Sequence, residues 1–168
     1  MAVWPPPDVV ERLAALPRPT RAGLRWTTAA QWHVTLRFLG AVDDAKMAPL
    51  AEALAAATSQ PPVTAVAGPA LTRLGQAVLC LPVAGLDPLA ATVVARSAAI
   101  GESAGDRPFR GHLTIARAGR GVDPRPRPPV PFSATWAVEE VTLVASTLRR
   151  EGARYEVVSR FPLGKPSG

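Results

Sequence analysis

Trp32-His33-Val34-Thr35-Leu36-Arg37-Phe38-Leu39-Gly40 and Gly111-His112-Leu113-Thr114-Ile115-Ala116-Arg117 decide the reading of this chain, because they hold its only two histidines in the same short pattern. Each reads His-x-Thr followed by an aliphatic residue. Twelve of the 168 residues are Thr, so chance would supply both matches in only about 0.5% of cases. Alternation of polar and apolar residues marks both stretches as strands, the first spanning Trp32 to Leu39 and the second His112 to Arg117. In a strand, successive side chains point to opposite faces. His33, Thr35 and Arg37 therefore share one side, with Trp32, Val34, Leu36 and Phe38 on the core side. His112 and Thr114 likewise oppose Leu113 and Ile115. Arg117 falls on the opposite parity from His112, which makes Arg37 the favoured arginine for a substrate phosphate.

Outward from the motifs, the chain alternates strands with helices. A short helix opens at Asp8 after Pro5 to Pro7, with Val9, Leu13 and Leu16 on one face. A strand over Leu24 to Trp26 precedes the first motif. Gly40 and Asp43-Asp44 then turn into an Ala-rich helix that ends before Pro61-Pro62. Val63 to Ala67, Ala70 to Leu74 and Ala77 to Val83 read as short strands, the last two joined at Gly75-Gln76. Asp87-Pro88 pairs an N-cap with a proline at the first helical position and predicts a helix through about Ile100. After the second motif, Asp123 to Pro131 is a Pro- and Arg-rich surface loop. Two strands close the pattern, Phe132 to Ser146 with a break and Tyr155 to Leu163, with a turn at Arg149-Arg150-Glu151-Gly152. The order predicts an α+β fold of two similar lobes.

Length and composition fit a single domain over 1–168: 48% of the residues are hydrophobic, enough for a substantial core. Nineteen basic residues against 13 acidic ones give a net charge of +6, which favours anionic partners such as nucleic acid. Only Lys46 and Lys165 are lysines, so an arginine-rich codon composition explains part of that excess equally well. Cys80 is the only cysteine, which excludes an intramolecular disulfide and a cysteine-based zinc site and fits a reducing cytoplasm. Its setting in Val78-Leu79-Cys80-Leu81 predicts an inert core thiol. No apolar run is long enough to span a bilayer, and Met1 to Pro7 lacks the pattern of a secretory signal. A zinc hydrolase is disfavoured, since two histidines lack acidic or cysteine partners and no His-Glu-x-x-His helix exists. Trp26, Trp32 and Trp136 are assigned to core packing, and Arg149-Arg150 to an exposed hairpin tip.

Two imidazoles near their ordinary pKa of about 6.5 are a base and an acid that work at neutral pH. If the motif strands face one another across a cleft, two histidines and two threonines converge. In-line displacement at phosphorus needs that set: a base behind the nucleophile, an acid at the leaving oxygen and donors on the non-bridging oxygens. The residues alone leave open which histidine plays which part. They also leave open an RNA- or nucleotide-binding module that holds phosphate without turnover.

The paired motifs resemble the signatures of the two-histidine phosphoesterases, and most closely the RNA 2′,3′-cyclic phosphodiesterase family, long called 2′-5′ RNA ligase. Val141 to Ser146, Gly152 to Val157 and Arg160 to Leu163 also resemble that family's closing hairpin, so the resemblance covers nearly the whole chain. It implies two pseudo-symmetric lobes, each an antiparallel sheet with helices on its outer face, and an active site in the central cleft. It implies opening of a terminal 2′,3′-cyclic phosphate on RNA to a 2′-phosphate, without metal or organic cofactor. His33 then corresponds to the proton donor and His112 to the proton acceptor, with Thr35 and Thr114 on the phosphate. Reversible 2′-5′ ligation is the reverse of the same reaction. RNA 3′ ends or nucleotides carrying the cyclic phosphate are the implied partners, and a monomer is expected. The first strand is short by family standards, only Ala2-Val3-Trp4 preceding the prolines.

Overall fold

The computed structural model describes residues 1–105, 107–149 and 152–164, with the backbone alone at Arg149. Ten strands run in chain order with three α-helices: β1 (Ala2–Val3), α1 (Pro7–Ala14), β2 (Leu24–Trp26), β3 (Val34–Thr35), α2 (Met47–Ala57), β4 (Val63–Ala67), β5 (Thr72–Leu74), β6 (Val78–Ala84), α3 (Asp87–Arg96), β7 (His112–Ala118), β8 (Ala134–Val138), β9 (Glu140–Arg149) and β10 (Gly152–Pro162). They form two antiparallel sheets, one ordered β10-β9-β1-β3 and the other β2-β7-β6-β4-β8 with β5 also paired to β6. The α+β class with antiparallel sheets is as expected from the alternation. Each sheet holds one His-x-Thr motif. Only Glu139 separates β8 of one sheet from β9 of the other, which accounts for the break expected between Phe132 and Ser146.

Helix faces follow from residue spacing. Val9 and Leu13 bury one side of α1, Leu50, Leu54 and Ala57 one side of α2, and Leu89, Ala90 and Val93 one side of α3, each a three-to-four-residue repeat. Helices α2 and α3 pack against each other, and α2 also meets β10. Buried side chains of both sheets and all three helices join in one continuous apolar cluster.

Several expectations change. The first motif strand is two residues long, not Trp32 to Leu39, because Ala29–Gln31 forms a 3-10 turn before it and its ladder ends at Met1. There the amides of Leu36 and Arg37 both reach the Met1 carbonyl, at 2.9 and 3.4 Å, and two successive donors on one acceptor mark a bulge that ends regular pairing. Asp87 does not cap α3. Leu86 holds the cap position, and Asp87 and Pro88 lie within the first turn. That helix stops at Arg96: the Ser97 amide still reaches the Val93 carbonyl at 3.2 Å, but the Ala98 amide turns to Ala95, and Arg37 takes the Val94 carbonyl. Strand β1 is short but central, pairing Ala2 with Thr35 on one side and with Thr142 on the other, and Ala2 and Val3 are buried. The stretch 123–131 is the expected loop, with Asp123 held by Arg125. Trp32 and Trp136 are buried as assigned, and Trp26 is partly buried against the core. Arg150 and Glu151, in the expected hairpin turn, lie outside the described residues. Burial pushes the Cys80 thiol up to about 11, in keeping with an inert core residue.

Candidate active site

The two motifs match in exposure at five of the six positions from His onward, differing only at the threonines, where Thr35 is exposed and Thr114 half-buried. His33 and His112 are half-buried, Val34 and Leu113 buried, Leu36 and Ile115 buried, Arg37 and Ala116 buried, Phe38 and Arg117 exposed. Strict alternation breaks at the same place in both. In the first motif the break is the bulge at Leu36 and Arg37. In β7 it lies at Ile115, where Leu79 and Cys80, adjacent on β6, pair with Ala116 and Thr114. An extra residue flips the parity of all that follow. Phe38 and Arg117 therefore emerge on the side of the His and Thr residues, while Arg37 turns inward.

That turn corrects the assignment of Arg37 to substrate phosphate. Its guanidinium donates from Nη1 to the Val94 carbonyl (3.3 Å) and Ser97 Oγ (2.6 Å), and from Nη2 to the carbonyls of Ile100 (3.0 Å) and Glu102 (2.9 Å). With the residue only 3% exposed, these four acceptors at and beyond the end of α3 occupy both terminal nitrogens. A cation there also suits the negative end of the helix dipole. Arg117, set aside by its parity, is exposed on the same strand, three residues on from Thr114. It lies directly opposite Arg25 across the β2–β7 ladder.

A cleft of about 730 Å³ opens along the first motif. His33, Thr35 and Phe38 line it, facing Leu148, Tyr155 and Val158 from the β9–β10 hairpin. Phe38 is 66% exposed and Leu148 86%, so the cleft offers bare apolar surface next to the imidazole. His112 and Thr114 lie outside that lining, on β7, which packs against β3. The histidines are near enough for charge on His112 to oppose charge on His33.

The two rings are held differently. His112 Nδ1 lies 2.7 Å from the Arg110 carbonyl, which fixes one ring nitrogen and leaves Nε2 for chemistry. His33 Nδ1 is buried without a well-aligned partner, and its ring packs against those of Trp4 (centroids 5.0 Å apart, tilted) and Tyr155 (4.5 Å, edge-to-face). Burial is the main reason its pKa falls to about 4, aided by the Met1 α-amino charge and opposed by hydrogen bonding to the Gln31 carbonyl. Trp4, Phe38 and Tyr155 escaped the sequence reading. Phe38 needed the bulge, and the other two reach His33 only through sheet pairing.

The family profile described as LigT like Phosphoesterase matches residues 3–69. An RNA 2′,3′-cyclic phosphodiesterase of Escherichia coli K12 is 35% identical over 150 residues, covering 86% of this chain and 82% of the relative. The chain belongs to the LigT-like phosphoesterase family. An RNA 2′,3′-cyclic phosphodiesterase of Geobacillus stearothermophilus is 34% identical over 157 residues, or 85% of this chain, which spans about half that relative's length (49%). Among solved structures, Escherichia coli LigT complexed with 3′-AMP superposes with a TM-score of 0.79 at 33% identity, covering 98% of this chain and 96% of that one. No helix among the described residues is long and apolar enough to cross a membrane. None of their His, Cys, Asp and Glu side chains gather in threes as metal ligands do.

Proposed function

We propose that this LigT-like phosphoesterase hydrolyses terminal 2′,3′-cyclic phosphates on RNA to 2′-phosphomonoesters, acting in the cytoplasm as a monomer whose two sheets form one domain over 1–168. The observation that carries this reading is the match of the two His-x-Thr motifs in burial at five of six positions, the threonines alone differing, on strands packed together. Water attacks phosphorus as His112 Nε2 takes its proton. The bond from phosphorus to the 3′ oxygen breaks, and His33 gives that oxygen its proton. The hydroxyls of Thr35 and Thr114 donate to the non-bridging oxygens, where charge develops. Solvent then returns the proton from His112 to His33. Because His33 is pulled down to about 4, it is a strong acid once charged, and the bound phosphodiester anion supplies the field that charges it. Phe38 offers a face to the terminal base, and Arg117 a cation to the chain's next phosphate.

Incubation with an oligonucleotide ending in 2′,3′-cyclic phosphate, with 2′- and 3′-phosphate products resolved, tests the reading. A 2′-phosphate product is expected, with a fall of at least about 100-fold in kcat/KM for His33→Ala and for His112→Ala. A loss below about tenfold in either variant would overturn the mechanism. Salt-sensitive binding of intact substrate would identify a binding module instead.

A further inference from the structure

We propose that Trp4, anchored by Thr142, is a positioning residue for His33, its indole packing on the imidazole and, with Tyr155, restricting its rotation. This inference rests on the two-histidine reading and explains how motifs so alike hold their rings by different means. His112 has the Arg110 carbonyl on Nδ1; His33 has no comparably aligned bond at its buried Nδ1. An imidazole without such a bond turns about its last torsion, which is broad and two-fold. Planar neighbours restrict that rotation. The Trp4 ring lies 5.0 Å from His33 at an interplanar angle of 50°, and Tyr155 lies 4.5 Å away at 74°, edge-on.

The indole is itself fixed. Trp4 Nε1 donates to Thr142 Oγ1 at 2.8 Å, and that hydroxyl donates its only proton to the Ala2 carbonyl at 3.0 Å. Thr142 is fully buried, where a hydroxyl is tolerated because both bonds are made. Ala2 in turn sits opposite Thr35, so a single network ties the clamp to the motif. The groups bearing on the His33 charge come from several neighbouring elements: the Met1 α-amino group just before β1, the Gln31 carbonyl before β3 and His112 on β7, with the Tyr155 ring from β10. Trp4→Leu leaves all of them in place and removes the aromatic face. Thr142→Val keeps the shape and removes the anchor. Trp4→Phe keeps a face without the N–H.

With two histidines in the sequence, the untagged protein gives two imidazole C2–H resonances, assigned with His33→Gln and followed by NMR against pH. In the intact protein the His33 midpoint is expected near 4, the ring being held low by burial. Trp4→Leu is expected to move that midpoint up by at least about one unit, as water reaches the ring. Thr142→Val should shift it the same way by less, and Trp4→Phe least. Hydrolysis of the cyclic phosphate should lose about 10- to 100-fold in kcat for Trp4→Leu, the scale of a misplaced reacting group, with KM within about twofold. An unmoved His33 midpoint in both Trp4→Leu and Thr142→Val overturns the proposal, even if kcat falls, since that pattern is a stability effect alone. If both variants shift the His33 midpoint as stated yet the wild type hydrolyses nothing, the clamp stands and the enzymatic reading fails.

Discussion

His33 is held as a largely neutral ring, and that choice has a cost in acid. Its pKa is about 4 in the fold against 6.5 ordinarily, so the unfolded chain takes up the proton first as pH falls. The group's contribution to stability is therefore complete above pH 6.5 and lost between 6.5 and 4. The Met1 α-amino group, lowered from 8.0 to about 6 by burial, adds a slope of the same sign between pH 8 and 6. Urea unfolding at pH 7, 5.5 and 4 is expected to show His33→Gln losing less stability than wild type across that span; parallel curves would mean the ring is not desolvated. At this scale the polar face of each motif was legible, because period two holds from His33 to Leu36 and from His112 to Ile115. Arg37, Phe38 and Arg117 were misread for one reason. A bulge carries no compositional mark here, and one extra residue inverts every parity after it.

Among the elements, α3 depends most on a residue outside itself. Its final turn and the segment beyond it present carbonyls that Arg37 collects, with Ser97 Oγ bonding both Arg37 and the Val93 carbonyl. Arg37→Ala strands several buried acceptors at about 1–3 kcal/mol each, so a loss of at least about 3 kcal/mol is expected, or roughly 6–12 °C in Tm. Lysine should rescue little, since a point charge cannot span the same acceptors. Calorimetry checks both, and KM for the cyclic phosphate should stay within about twofold in the folded fraction; a selective rise in KM would return Arg37 to the phosphate. Elements with strong local signals were legible: β4 and the Val9 and Leu13 face of α1 stand as read. Asp87-Pro88 misled because a good cap residue also suits the first turn of a helix, where an acid meets the positive dipole end.

For the whole molecule, the charge of +6 is expected to act on chains more than on monomers. KM for an oligonucleotide should rise steeply with salt, whereas KM for a 2′,3′-cyclic mononucleotide should rise little. Arg117→Ala should lower the oligonucleotide salt slope by about one; equal slopes for both substrates would place the basic residues outside the binding path. The pairing of β1 with β9 could not be read from composition, since β1 offers two residues of pattern and the strands lie nearly the whole chain apart. That pairing also orders events during synthesis. The sheet built from β2 and β4–β8 is complete once β8 leaves the ribosome, but β1 must wait for β9, and His33 for Tyr155. A nascent chain long enough to contain both histidines thus still lacks the strands that shape the cleft, so competence arrives only with the final hairpin.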